Sequence, residues 1–166
     1  MASPETISTR GSDATGISLD LKAWRSPWDN GLRVGCGTGL RLCFLESDGS
    51  ALGHYDIGDG GMAQFVVNST ATYALTRNRI PAIVSLDDRG HLLSQWNASG
   101  PIAGGMTDGD GILFVSQLVD EYVIAYEAGG QEIWRVSAPG IRSSPVLGLN
   151  QTLYVTAQNG IIYSIH

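Results

Sequence analysis

The chain has 166 residues, of which 43% are hydrophobic and 16% charged, enough apolar material for one domain with a core and too much for a disordered chain. Twenty-two glycines and six prolines exclude an all-helical bundle, because both residues disfavour helix interiors. Ten basic against sixteen acidic residues leave a net charge of −6, which removes the electrostatic drive for a phosphate backbone and excludes nucleic acid as a partner.

The first sixteen residues carry one large aliphatic side chain, Ile7. They lack the apolar stretch of a signal peptide and read as a flexible tail ahead of a domain spanning 17–166. No apolar run reaches the ~18–20 residues that cross a bilayer, so no membrane insertion is expected. A periplasmic or extracellular location would fit this chain as part of a longer protein.

From residue 32 onward the chain repeats. LRVGC (32–36), TYALT (72–76), ILFVS (112–116) and TLYVT (152–156) recur every 40 residues. Each reads as a short strand rich in β-branched and aromatic residues. The spacing aligns Val34, Ala74, Phe114 and Tyr154 in one column, with Gly35, Leu75, Val115 and Val155 in the next. A second series follows: RLCFLESDG (41–49), AIVSLDDRG (82–90), YVIAYEAGG (122–130) and IIYSIH (161–166). Its strand-end acids Glu46, Asp87 and Glu127 precede turns that close on Gly49, Gly90 and Gly130. Then come SALGHY (50–55), HLLSQW (91–96) and QEIW (131–134), and a glycine-containing link to MAQFVVN (62–68), IAGGMTD (102–108) or IRSSPVL (141–147).

Each unit thus holds four antiparallel strands, the size of one propeller blade in WD40-like and related repeats. The predicted strands are 32–36, 41–46, 62–68, 72–76, 82–87, 91–96, 112–116, 121–127, 131–136, 152–156 and 161–165. GISLDLKAW (16–24) reads as an N-terminal equivalent of the fourth strand, and the C-terminus stops one strand short. The fold expected is all-β, a propeller of about four 40-residue blades that is half of an eight-bladed ring or a fragment of a longer one.

The segments LYVTAQNGIIYSI (153–165), VIAYEAGGQEIW (123–134) with RSSPV (142–146), and SLDDRGHLLSQW (85–96) resemble the PQQ-like, quinoprotein-type propeller repeat. FLESDGSALGHY (44–55) resembles it less closely, with Tyr55 in place of Trp. The resemblance covers residues 17–166 and implies that the repeat tryptophan docks on the neighbouring blade. Trp96 and Trp134 match that position and Trp24 matches it at the N-terminus, all as packing residues. Trp28 has no repeated counterpart.

The same resemblance implies an alternative function as part of a PQQ-dependent alcohol or sugar dehydrogenase holding PQQ with Ca²⁺. Relatives that oxidise alcohols carry adjacent cysteines, whereas Cys36 and Cys43 stand apart. Those two residues suit neither a disulfide-rich scaffold nor a zinc site, and they decide no compartment. TDGDG (107–111) and DIGDGG (56–61) are oxygen-rich, yet lack a full calcium-loop pattern and read as turns. The glycines at 35, 37 and 39 open no helix and so form no phosphate cradle. His54, His91 and His166 form no ligand pair. Asn68, Asn97 and Asn150, each followed by x-Ser/Thr, read as turn residues more readily than as glycan acceptors.

The sequence therefore assigns no catalytic, cofactor-binding or metal-ligating residue. The expected function is a non-catalytic binding or scaffold module for a protein, peptide or carbohydrate. Charges in the predicted turns, Asp48, Asp59, Asp87, Asp88, Asp108, Asp110 and Glu127 with Arg89, suggest an acidic surface that prefers cationic partners. The complementary chain ends suggest a homodimer closing an eight-bladed ring, with residues 1–24 of each copy completing the last blade of the other.

Overall fold

In a computed structural model, the structure describes residues 10–12, 18–20, 22–25, 32–36, 41–46, 48, 50–58, 60 and 62–166, with the strands before residue 41 described as backbone alone. Strands β1 (Arg10–Ser12) and β2 (Ser18–Asp20) form a two-stranded antiparallel sheet. Part of the segment expected to be a tail is therefore paired; its other residues, like Trp28, Gly37 and Gly39, lie outside the described set.

Everything else is blades. Blade I contains β3 (Lys22–Arg25), β4 (Leu32–Cys36), β5 (Arg41–Leu45) and β6 (Ala51–Asp56). Blade II contains β7 (Met62–Val67), β8 (Thr72–Thr76), β9 (Ala82–Leu86) and β10 (Leu92–Asn97). Blade III contains β11 (Ile102–Thr107), β12 (Leu113–Gln117), β13 (Tyr122–Tyr126) and β14 (Glu132–Ser137). Blade IV has three strands, β15 (Val146–Leu147), β16 (Leu153–Thr156) and β17 (Ile162–Ile165). All pairings are antiparallel between sequence neighbours, so the predicted all-β propeller architecture is present.

Two corrections concern phase. The segments 62–68, 102–108 and 141–147 do not end their units but open the next blade, since β7, β11 and β15 pair with β8, β12 and β16. Likewise the N-terminal strand completes its own first blade: Lys22 stands opposite Gly35 and Arg25 opposite Leu32. It is the equivalent of β7 and β11, as its sequence suggested, but it is already used within the chain. The strand exchange expected between two copies is therefore not the arrangement of this structure.

The core lies between blades. β8, β9, β12 and β13 are packed on both faces, so they read as nearly continuous apolar runs, while the outer strands β10 and β14 are mostly exposed. Leu42 and Phe44 pack on Ala74, Val84 and Leu86 between blades I and II. Tyr73, Leu75 and Ile83 meet Leu113, Val115 and Ile124 between II and III. Val123 and Ala125 meet Val155 and Leu153 between III and IV. Fully burying each such aliphatic side chain contributes ~1.5–3 kcal/mol.

The inner strands approach closely. Gln64 Oε1 on β7 accepts bonds from the Gly105 amide on β11 (3.0 Å) and from Ser144 Oγ before blade IV (3.1 Å), tying three blades together. A side chain at Gly104 would run into Ser144 Oγ and Gln64 Oε1, so the smallest residue is required there. Cys43 is disulfide-bonded, a role its sequence context did not suggest.

Candidate functional site

Antiparallel strands send alternate connections to opposite ends of the blades, and the two ends differ in charge. At one end the β5–β6, β9–β10, β11–β12 and β13–β14 turns carry Glu46, Asp48, Asp87, Asp88, Asp108, Asp110 and Glu127, with Arg89 and His91 among them. The residues of the predicted acidic surface are at this end, apart from Asp59, which lies outside the described residues.

Its carboxylates are largely occupied in holding turns. Asp87 Oδ1 accepts from the amides of Arg89 and His91, each at 2.8 Å, and His91 Nδ1 lies 2.8 Å from Oδ2. Burial pushes the Asp87 carboxyl up, but those bonds and the His91 charge outweigh it and hold the group below its ordinary value. Bonds from Ser50 lower Asp48 in the same direction. Asp108 Oδ1, in the TDGDG loop, accepts from Asp110 N (3.0 Å) and Ile112 N (2.8 Å). The loop is a hydrogen-bonded turn, and no group of three His, Cys, Asp or Glu converges among the described residues. Asn68 and Asn150 also cap turns, as predicted, accepting from Ala71 N and Thr152 N respectively. His54 is exposed within β6 opposite Cys43, and His166, just past β17, lies 3.0 Å from Thr152 Oγ1.

The opposite end is different. The β8–β9, β10–β11, β12–β13 and β14–β15 connections, residues 77–81, 98–101, 118–121 and 138–145, converge there around a cavity of about 720 Å³. Arg77 and Arg79 line it from the first connection and Arg142 from the last. None of the three makes an ion pair among the described residues; Arg142 Nη1 donates weakly to the Ile141 carbonyl at 3.3 Å. A guanidinium has five donors, so nearly all of this donor capacity faces solvent.

The loops are built rigidly. Asn78 donates to the Ile57 carbonyl (2.9 Å) and accepts from Gly60 N (3.0 Å), fixing the arginines on either side of it. Ser99 Oγ donates to Gln117 Oε1 at 2.5 Å beneath the cavity wall. The tips add apolar residues, with Ile80 64% and Val119 71% exposed. Asp120, near Gly100, Glu121, and Asp56, which is ion-paired with Arg41 at 2.7 Å, are the acids at this end among the described residues.

Sequence reasoning missed this end. Arg77 and Arg79 look like ordinary turn residues, and Arg142 stands far along the chain until the blades bring it beside them. Trp96 and Trp134, by contrast, sit where the repeat resemblance placed them. Trp96 packs between blades II and III, against Tyr126 (centroids 5.7 Å) and Tyr73 (6.5 Å), with its ring over Gly130 of blade III. Trp134 packs between III and IV, 5.8 Å from Phe114. Trp24 has no described side chain.

No protein-family model and no curated protein matches the chain. Solved structures do match, and the three described next are β-propellers. BamB from Moraxella catarrhalis is similar with a TM-score of 0.68 at 16% identity, over 89% of this chain and 43% of that one. BBS1N, solved in complex with ARL6DN, gives 0.69 at 14% identity, over 89% and 50%. Virginiamycin B lyase from Staphylococcus aureus gives 0.67 at 15% identity, over 92% and 60%. The chain spans about half the length of these neighbours, and the likeness shows the fold.

Proposed function

We propose that this chain is a non-catalytic propeller module that holds a protein partner at its arginine-lined end. The observation that carries this reading is the convergence of four inter-strand connections from three blades on one cavity, with three guanidiniums that form no ion pair among the described residues and an apolar rim. Arginine with exposed apolar residues is the composition of protein-binding surfaces. The neighbour solved in complex with ARL6DN and another from the mitotic checkpoint complex support the same use of a propeller. A carbohydrate fits less well, because no aromatic ring among the described residues lines the cavity for a sugar to stack on.

A photo-crosslinking residue at Ser99, on the arginine-lined end, tests this against one at Asp110 on the acidic end, in cells that carry the protein. Crosslinks to another protein from Ser99 and none from Asp110 are expected; the reverse pattern overturns the reading.

The PQQ-like repeat signature supports the alternative, part of a quinoprotein oxidoreductase. Against this alternative, no group of three His, Cys, Asp or Glu converges among the described residues, and Asp108 of the most oxygen-rich loop is committed to its own turn. Titrating PQQ and Ca²⁺ and following the quinone absorbance separates the readings, with no bound quinone expected.

A second-copy interface is favoured by blade IV. Its face away from blade III leaves Val146 62% and Ile162 65% exposed, where the equivalent Val123 in blade III is fully buried by the next blade. Face-to-face docking on a second copy would extend the propeller, and light scattering would then return about twice 17.6 kDa.

A further inference from the structure

We infer that the arginine-lined cavity selects an acidic peptide segment, one with adjacent carboxylates and at least one apolar side chain. The inference rests on the proposed protein-binding role and names the chemistry of the partner. Arg77, Arg79 and Arg142 reach the cavity from two different connections, so their charges surround it and do not lie along one strand. No described acid neutralises them; Asp120 and Glu121 stand at this end without pairing with any of the three. An arginine cluster with no ion pair among the described residues, in a protein of net charge −6, creates a local field of opposite sign to the rest of the molecule, which steers anionic groups to this end and away from the acidic one.

The guanidinium fork matches the carboxylate in a bidentate pair. The volume, about 720 Å³, falls within the ~300–1,000 Å³ of ligand-sized pockets and admits a few side chains but not a folded domain. Ile80 and Val119 on the connection tips, together with Pro81, Pro101 and Ile102 in the lining, give the cavity an apolar component. A free inorganic anion would leave that surface uncovered. A nucleic acid strand would meet the overall negative charge beyond the cavity mouth, which disfavours it.

The test is fluorescence anisotropy with a labelled peptide of six glutamates ending in leucine, at low and physiological salt. Saturable binding that weakens with salt is expected, with none for the hexalysine analogue. Because the three arginines are exposed, R79A and R142A should fold as the parent does, which urea unfolding checks. Each should weaken binding by about tenfold, the worth of one charge-assisted contact. R89A, on the acidic end, should leave binding unchanged.

The inference is overturned if R77A/R79A/R142A binds the peptide as the parent does, if a hexathymidylate binds more tightly than the peptide, or if equimolar inorganic phosphate displaces the peptide. Crosslinking from Ser99 alongside any of these results would keep the partner-binding end and discard its acidic chemistry. Failure of the Ser99 crosslink removes the reading beneath it.

Discussion

The contact between Trp96 and Gly130 provides a direct measure of how blades II and III are joined. Gly130 has φ 89° and closes the β13–β14 turn, donating its amide to Glu127 O at 2.9 Å. An alanine Cβ there would overlap Cδ2 and Cε3 of the Trp96 ring. G130A therefore carries two costs: left-handed backbone strain of ~1–2 kcal/mol and steric overpacking of ~1–3 kcal/mol. W96A loses a half-buried ring packed on Tyr73 and Tyr126, costing about 3 kcal/mol, the lower end for such truncations. In the double variant the overlap is gone and only the backbone strain accompanies the lost ring. The double should therefore fall short of the sum of the singles by the overpacking cost, ~1–3 kcal/mol, as expected for residues in contact. Urea unfolding followed by circular dichroism, which does not depend on the tryptophan removed, gives the four values. Additivity within about 0.5 kcal/mol would refute the docking of Trp96 on blade III.

Three further outcomes follow from the same structure. I162D, on the uncovered face of blade IV, should change stability by no more than about 0.5 kcal/mol and abolish any dimer seen by light scattering, whereas V123D at the covered equivalent should cost more than ~4 kcal/mol by urea unfolding. G104A should destabilise by ~1–3 kcal/mol through overlap with Ser144 and Gln64, and S144A should recover part of that loss. Asp48, Asp87 and Glu132 all have lowered folded-state carboxyl values, Glu132 through its bond from Arg135. Their stabilisation is present above the ordinary carboxylate range and is lost as pH falls through the folded values, so the urea midpoint should drop below about pH 4. A midpoint unchanged between pH 5 and pH 2 would contradict this.

The blade content was legible because each strand carries its own signal. Alternating or fully apolar five-residue runs are bounded by acid-to-glycine turns, and the structure makes those turns with Asp87 to Gly90 and Glu127 to Gly130. Phase was not legible, because a 40-residue period can be cut anywhere and hydrogen bonding alone decides that β7 opens blade II. Register was also hidden. Leu75 stands opposite Gln64 and Ser116 opposite Gly104, so Leu75 corresponds to Ser116 and not to Val115. The connection at 108–112 is one residue longer than that at 68–71, and the one at 118–121 is one shorter than that at 77–81. The two changes cancel in the spacing while shifting one strand by a residue, and with a period of two that exchanges its faces. The acidic end was readable because its residues sit in recurring turns. The arginine-lined end was not, since it exists only after Arg142 folds back beside Arg77 and Arg79.

Amide hydrogen exchange with and without the acidic peptide locates the binding surface most directly. The account predicts slowed exchange confined to residues 77–81, 98–101, 118–121 and 138–145, with the turns at 87–91, 108–112 and 127–131 unchanged. Protection of the latter turns, or none at either end at a saturating peptide concentration, would contradict the assignment of the arginine-lined end as the partner-binding surface.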